Sequence, residues 1–125
     1  MTRLCLTLPP SENQRHTVHR GRIVVRADHL AWQATAALQA RVWARDTGWR
    51  SRPGKVWVDV WVFWPDARRR DTSNLSKNLL DALEGVLYPD DRWALIRYQD
   101  FTVDRQNPRV EVRVGREEGE RHDDQ

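Results

Sequence analysis

Residues 55–64 alternate with little interruption. Val56, Val58, Val60, Val62 and Trp64 fall on one side, and Trp57, Asp59, Trp61 and Phe63 on the other. A period of two is the signature of a strand, and a valine face of this kind packs on helices. The aromatic side admits two uses, burial against protein or a grip on nucleic-acid bases. Burial is favoured, because large aromatics dominate cores and interfaces. Shorter alternations predict strands over residues 4–8, stopped by Pro9-Pro10, over 23–25, and over 109–114 with Val110, Val112 and Val114 in step. A further strand is predicted over 94–103.

Helical spacing takes over elsewhere. Asp28 is a natural N-cap for a helix reaching about residue 45, with Leu30, Ala34, Leu38 and Val42 as its apolar stripe and Gly48 as its stop. A second helix is predicted over 72–85, where Leu75, Leu79, Leu83 and Val86 form the stripe and Gly85 suits the end. Asn74, Lys77 and Asp81 share its opposite face. Between strands, residues 11–22 read as a polar loop carrying Asn13, Arg15, His16, His19, Arg20 and Arg22, with Gly21 in a turn. Strand, strand, helix, strand, helix, strand, strand makes a small single-domain α/β (α+β) fold, a mixed sheet packed with two main helices. Residues 1–115 form this domain. Residues 116–125 are charged and lack apolar anchors, so they are expected to be a disordered tail.

Charge changes this picture. The last ten residues hold two arginines against five acids, so the net +3 of the 125-residue chain leaves +6 on residues 1–115. Of the 21 basic residues all but Lys55 and Lys77 are arginine. Arginine's planar fork can bond two phosphate oxygens at once, so the body is suited to a polyanion. Arginine richness can equally reflect a genome's base composition, and a basic domain permits nucleic acid without requiring it. The single Cys5, in an alternating run, excludes an internal disulfide and a cysteine-rich zinc site. No apolar stretch is long enough to span a membrane, and the N-terminus lacks the pattern of a secretion signal. A reducing cytoplasm is the expected compartment.

The candidate chemistry lies in Asp71-Thr72-Ser73-Asn74-Leu75-Ser76-Lys77 and in Tyr88-Pro89-Asp90-Asp91, directly after the arginines Arg68, Arg69 and Arg70. Asp71 alone could be an N-cap, and Asp90 and Asp91 alone a turn after proline. Jointly these readings weaken, because the intervening helix is short enough for its flanking strands to lie side by side. Carboxylates converging there repel one another unless a cation intervenes. Oxygen donors without nearby histidine or cysteine suit magnesium better than zinc. Lys77 has a plain reading as partner of Asp81, although base before acid is the poorer helical order. The other reading gives its ammonium to a phosphate. His16 and His19 read as surface groups or phosphate contacts.

These residues resemble the RusA family of Holliday-junction resolvases. The resemblance rests on Arg68-Arg69-Arg70-Asp71-x-x-Asn74-x-x-Lys77-x-x-x-Asp81-Ala82-Leu83 followed by Asp90-Asp91. Leu8-Pro9-Pro10-Ser11-x-Asn13 and Arg20-Gly21-Arg22 support it, and it spans about residues 4–114. It implies a crossover junction endodeoxyribonuclease of bacterial or phage origin, acting in recombination and repair. It further implies a homodimer that binds four-way DNA and nicks paired strands with Mg²⁺ or Mn²⁺. Asp71, Lys77 and Asp91 match the catalytic positions, with Asp71 and Asp91 as metal ligands and Asp90 beside the second. One position departs. Many relatives have Asp-x-Asp-Asn, whereas Ser73 stands here, a poorer ligand able to act through a metal-bound water, with Asp90 or Asp100 as substitutes.

The expected reaction is phosphodiester hydrolysis, with a cation held by Asp71 and Asp91 and with Lys77 at the phosphate. Arg15, Arg20, Arg22, Arg68, Arg69, Arg70 and Asn74 are the expected DNA contacts. Two other classes stay open. One is a branched-DNA-binding module whose nuclease activity is weak or lost through Ser73. The other is a metal-dependent hydrolase of small phosphates.

Overall fold

The computed structural model describes residues 2–14 and 16–116. Its framework is the alternating strand, β4 (Val56–Trp64), with Val56, Val58, Val60 and Val62 almost completely buried. β4 pairs in parallel with β5 (Ala94–Val103) and antiparallel with β6 (Arg109–Gly115). β6 pairs in turn with β1 (Leu4–Leu6), giving a four-stranded mixed sheet in the order β1-β6-β4-β5. The parallel β4–β5 pair needs a crossover, and that crossover carries the short helix α2 (Ser76–Leu83). The sheet's valine face is covered by α2 and by the long helix α1 (Ala27–Thr47). Leu75, Leu79, Ala82 and Leu83 sink into this core, as their spacing predicts.

Two local expectations change. α1 turns inward through His29, Ala36, Ala40 and Trp43, while Leu30, Leu38 and Val42 stay exposed, Leu38 by 61%. Small alanines bring a helix closer to a sheet than leucines would, and close packing decides the rotation. Asp28 lies inside the first turn rather than at its cap, 3.3 Å from Arg26. Second, part of the expected polar loop is a hairpin of β2 (His16–His19) and β3 (Arg22–Val25). Arg20 (φ 52°) and Gly21 (φ 75°) close it, and positive φ at both central residues matches the twist of a two-residue hairpin. The helix expected over 72–85 is a 3₁₀ turn at Thr72–Leu75 that runs into α2.

No helix covers the other face of the sheet among the described residues. Arginines do. The Arg97 guanidinium lies 3.9 Å from the Trp57 ring centre, Arg3 lies 3.5 Å from Trp61, and Arg109 lies 3.8 Å from Phe63. Acids between them complete the layer. Buried Asp59 accepts from Arg97 Nε at 2.7 Å and from Gln99 Nε2 at 2.9 Å, and Glu111 accepts from Arg3 and Arg109. Cation–π stacking of this kind is worth about 0.5–2 kcal/mol per contact, more where water is excluded. The aromatic side of β4 is therefore half-buried beneath guanidinium groups.

Candidate functional site

Pro65 ends β4, and the chain then runs through the arginines to α2. The three arginines are not equivalent. Asp66 accepts from Arg70 NH1 at 2.7 Å and from the Arg68 amide at 2.9 Å, and Arg70 also stacks 5.1 Å from the Trp64 ring centre. The Arg70 side chain, followed by the Arg68 amide, holds the Asp66 carboxyl down at about 2. Arg68 and Arg69 are exposed. They stand at an open cleft of about 860 Å³, with Trp64, Asp71, Asn74, Asn13 and Phe101 among its walls. Arg20 and Arg22 project on the exposed hairpin, and Arg15 lies outside the described residues.

At the entrance to α2, Asp71 caps the 3₁₀ turn. Its Oδ1 accepts from the Ser73 hydroxyl at 2.8 Å and the Ser73 amide at 3.0 Å, and these two donors lower its pKa, the hydroxyl more. One turn on, the Ser76 hydroxyl meets the Tyr98 phenol at 2.8 Å. Burial pushes the phenol up to about 12 against the Ser76 bond, with smaller contributions from Glu12 and Asp71. Glu12 caps the helix by accepting from the Lys77 amide. Sequence reasoning passed over Glu12, since only the folded loop brings it here. That loop is fixed by a buried network: Asn78 Nδ2 donates to the Pro10 carbonyl and to His29 Nδ1, both at 2.9 Å, and Asn78 Oδ1 accepts from Gln33 at 2.8 Å.

The far end of α2 is acidic. Asp81, Glu84 and Asp91 offer carboxylate oxygens that all lie within 4.8 Å of one another. Lys77 Nζ reaches Asp81 at 3.0 Å, so the plain helical pairing is realised and carries the lysine to the edge of this group. Tyr88 lies beneath, fully buried, its hydroxyl donating to the Leu80 carbonyl at 2.7 Å. Burial drives its pKa up strongly, and Glu84, Asp91 and Asp81 add to the effect. Asp90 instead caps the turn Asp91–Trp93, accepting from the Arg92 amide at 2.9 Å.

The structure brings Asp91 together with Asp81 and Glu84. Asp71 and Asp90 each accept from a backbone amide two residues on. Asp81 and Glu84 were both missing from the expected ligand set; the sequence offers Asp81 as the helical partner of Lys77. Lys77 is exposed on α2 near Ser73 and Ser76, whereas Asn74, half-buried in the 3₁₀ turn, lines the arginine cleft.

A mixed sheet with two helices on one face, an acidic group at one end of the crossover helix and an arginine-lined cleft before the other define a small α/β protein. The endodeoxyribonuclease RusA family matches residues 7–115. The chain belongs to that family. It is 35% identical over 80 residues to the crossover junction endodeoxyribonuclease RusA of Escherichia coli strain K12 and, equally, to that of strain CFT073. The matched stretch is 64% of this chain and spans 64% of the length of each relative. Among the described residues no helix is long and apolar enough to cross a membrane.

Proposed function

We propose that this protein is a divalent-cation-dependent endonuclease that cuts four-way DNA junctions. The observation that carries the reading is the three-carboxylate group of Asp81, Glu84 and Asp91, with Lys77 at its edge, at the far end of the helix that follows the arginine cleft. The donor set fits a hard cation: three carboxylates so close repel one another, and a single lysine offsets only part of that. Oxygen donors alone favour Mg²⁺, with Mn²⁺ as substitute. Asp81, Glu84 and Asp91 would hold the ion, with Asp71 as the cleft-side carboxylate. When bound, such an ion stabilises the negative charge that develops on a phosphodiester under attack.

The chain's own groups do the rest. Arg68 and Arg69 draw the DNA backbone into the cleft, and Asn74 stands at its floor. Lys77, half-exposed, can leave Asp81 and set its ammonium against the phosphate, where preorganised positive charge is most effective. Asp71 stays charged because Ser73 donates to it twice. Paired nicks across a junction need two sites, so the active form is a homodimer. It acts in recombination and repair in the cytoplasm of a bacterium, whether encoded by that host or by a phage.

The test is cleavage of a synthetic four-way junction with and without Mg²⁺, beside the Asp91→Asn variant. Symmetric nicks that need both Mg²⁺ and Asp91 are expected, and equal cutting by the variant overturns the assignment. One observation favours a second reading, a branched-DNA-binding module with little cleavage. Ser73 supplies a hydroxyl in place of a carboxylate, and that hydroxyl occupies Asp71 Oδ1. In that case the junction is bound but not cut, and Ser73→Asp brings cleavage up.

A further inference from the structure

β5 contains one extra residue where it faces β4. Val60 pairs with Tyr98, but Trp61 pairs with Asp100, so Gln99 is bulged out of the ladder. Without the bulge, Phe101 would alternate onto the arginine-covered face of the sheet. With it, Phe101 lies opposite Val62 and Val103 opposite Trp64, on the side that the helices cover. The helices do not reach that far. Phe101 is 66% exposed and forms a wall of the cleft that also contains Trp64, Arg68 and Arg69. An aromatic ring re-aimed by a bulge into a basic cleft, and left uncovered there, is not explained by packing.

We infer that Phe101 is a stacking platform for an unpaired nucleobase of branched DNA, which leaves its stack and enters this cleft. Charge complementarity favours this occupant. The exposed guanidinium groups of Arg68 and Arg69 suit the phosphates on either side of the base, and the amides of Asn13 and Asn74 suit its polar edge. At about 860 Å³ the cleft is within the range of sites that hold a nucleotide-sized ligand. The inference rests on the DNA reading above and adds to it a place where the junction is opened. No residue of the acidic group takes part.

The experiment places 2-aminopurine at the crossover of a synthetic four-way junction, without divalent cation so that the DNA stays intact. Wild type, Phe101→Ala and Phe101→Tyr are compared. Wild-type binding is expected to raise the fluorescence as the probe base unstacks. Phe101→Ala should abolish the rise and weaken binding by about tenfold, the usual scale for one lost base–aromatic stack. Phe101→Tyr should keep both. An unaltered circular dichroism spectrum for Phe101→Ala, expected for so exposed a side chain, separates this loss from unfolding. If the wild type binds the junction and Phe101→Ala matches it in affinity and fluorescence, the platform is overturned while the DNA reading stands. If Phe101→Ala instead halves the mass in sedimentation without changing the fluorescence, the ring is a contact between copies of the chain and the platform again falls. If the wild type binds no junction, both readings fall together.

Discussion

At the scale of single residues, the carboxylates divide by what they already hold. Asp66, Asp71 and Asp90 are committed to arginine or to backbone amides, while Asp91 faces other acids. Asp91→Asn should therefore lower junction cleavage by about a hundredfold or more, since one ligand of the proposed cation site is lost, and should weaken Mn²⁺ binding measured by calorimetry. Asp66 offers a test by pH. Its folded pKa lies below the ordinary 3.8, so its contribution to stability is complete above that value and fades as the pH falls toward about 2. In Arg70→Met the largest cause of the shift is gone. A carbon-detected titration of Asp66 should show its midpoint moving up toward 3.8, and an unmoved midpoint would dismiss the Arg70 contact.

At the scale of elements, α2 is the keystone: it carries Leu79 and Leu83 into the core and Asn78 into the buried network that fixes the Pro10 loop. Leu79→Ala should cost about 2–5 kcal/mol in denaturant unfolding, the usual range for a fully buried leucine. Asn78→Ala strands the Pro10 carbonyl and the His29 and Gln33 side chains, at about 1–3 kcal/mol, and should also loosen Glu12 from the helix. The stripe of α2 and the faces of β4 were legible because strict period reports burial directly. The rotation of α1 was not, because alanine counts as apolar on either stripe and only three-dimensional packing chooses between Leu38 and Ala40. The strand over 23–25 was expected, but its hairpin partner β2 was hidden by its polar side chains. The grouping of Glu84 with Asp91 depends on how the short segment after α2 folds back, and the place of Glu12 and the bulge at Gln99 on contacts distant in sequence, which no local pattern encodes.

At the scale of the molecule, charge is sorted by place more than by total. Most of the arginines around β4 are spent on aromatic rings and on Asp59, Asp104 and Glu111, so the net +6 of residues 1–115 overstates the charge offered to a polyanion. Arg68 and Arg69 are exposed at the cleft, so under the proposed function they are the cations that release counterions from DNA. This separates local from diffuse attraction. Each phosphate neutralised contributes about −0.9 to the slope of log affinity against log salt. The double variant Arg68→Ala, Arg69→Ala should therefore bind a junction more weakly and with a slope about two units shallower, whereas Arg97→Met on the opposite face should leave the slope unchanged. Because Arg97 neutralises buried Asp59, its loss should appear in stability instead, at about 3–5 kcal/mol. Equal salt slopes for the wild type and the double variant would mean that DNA does not enter by the cleft before α2, and the approach would have to be sought along the hairpin that carries Arg20 and Arg22.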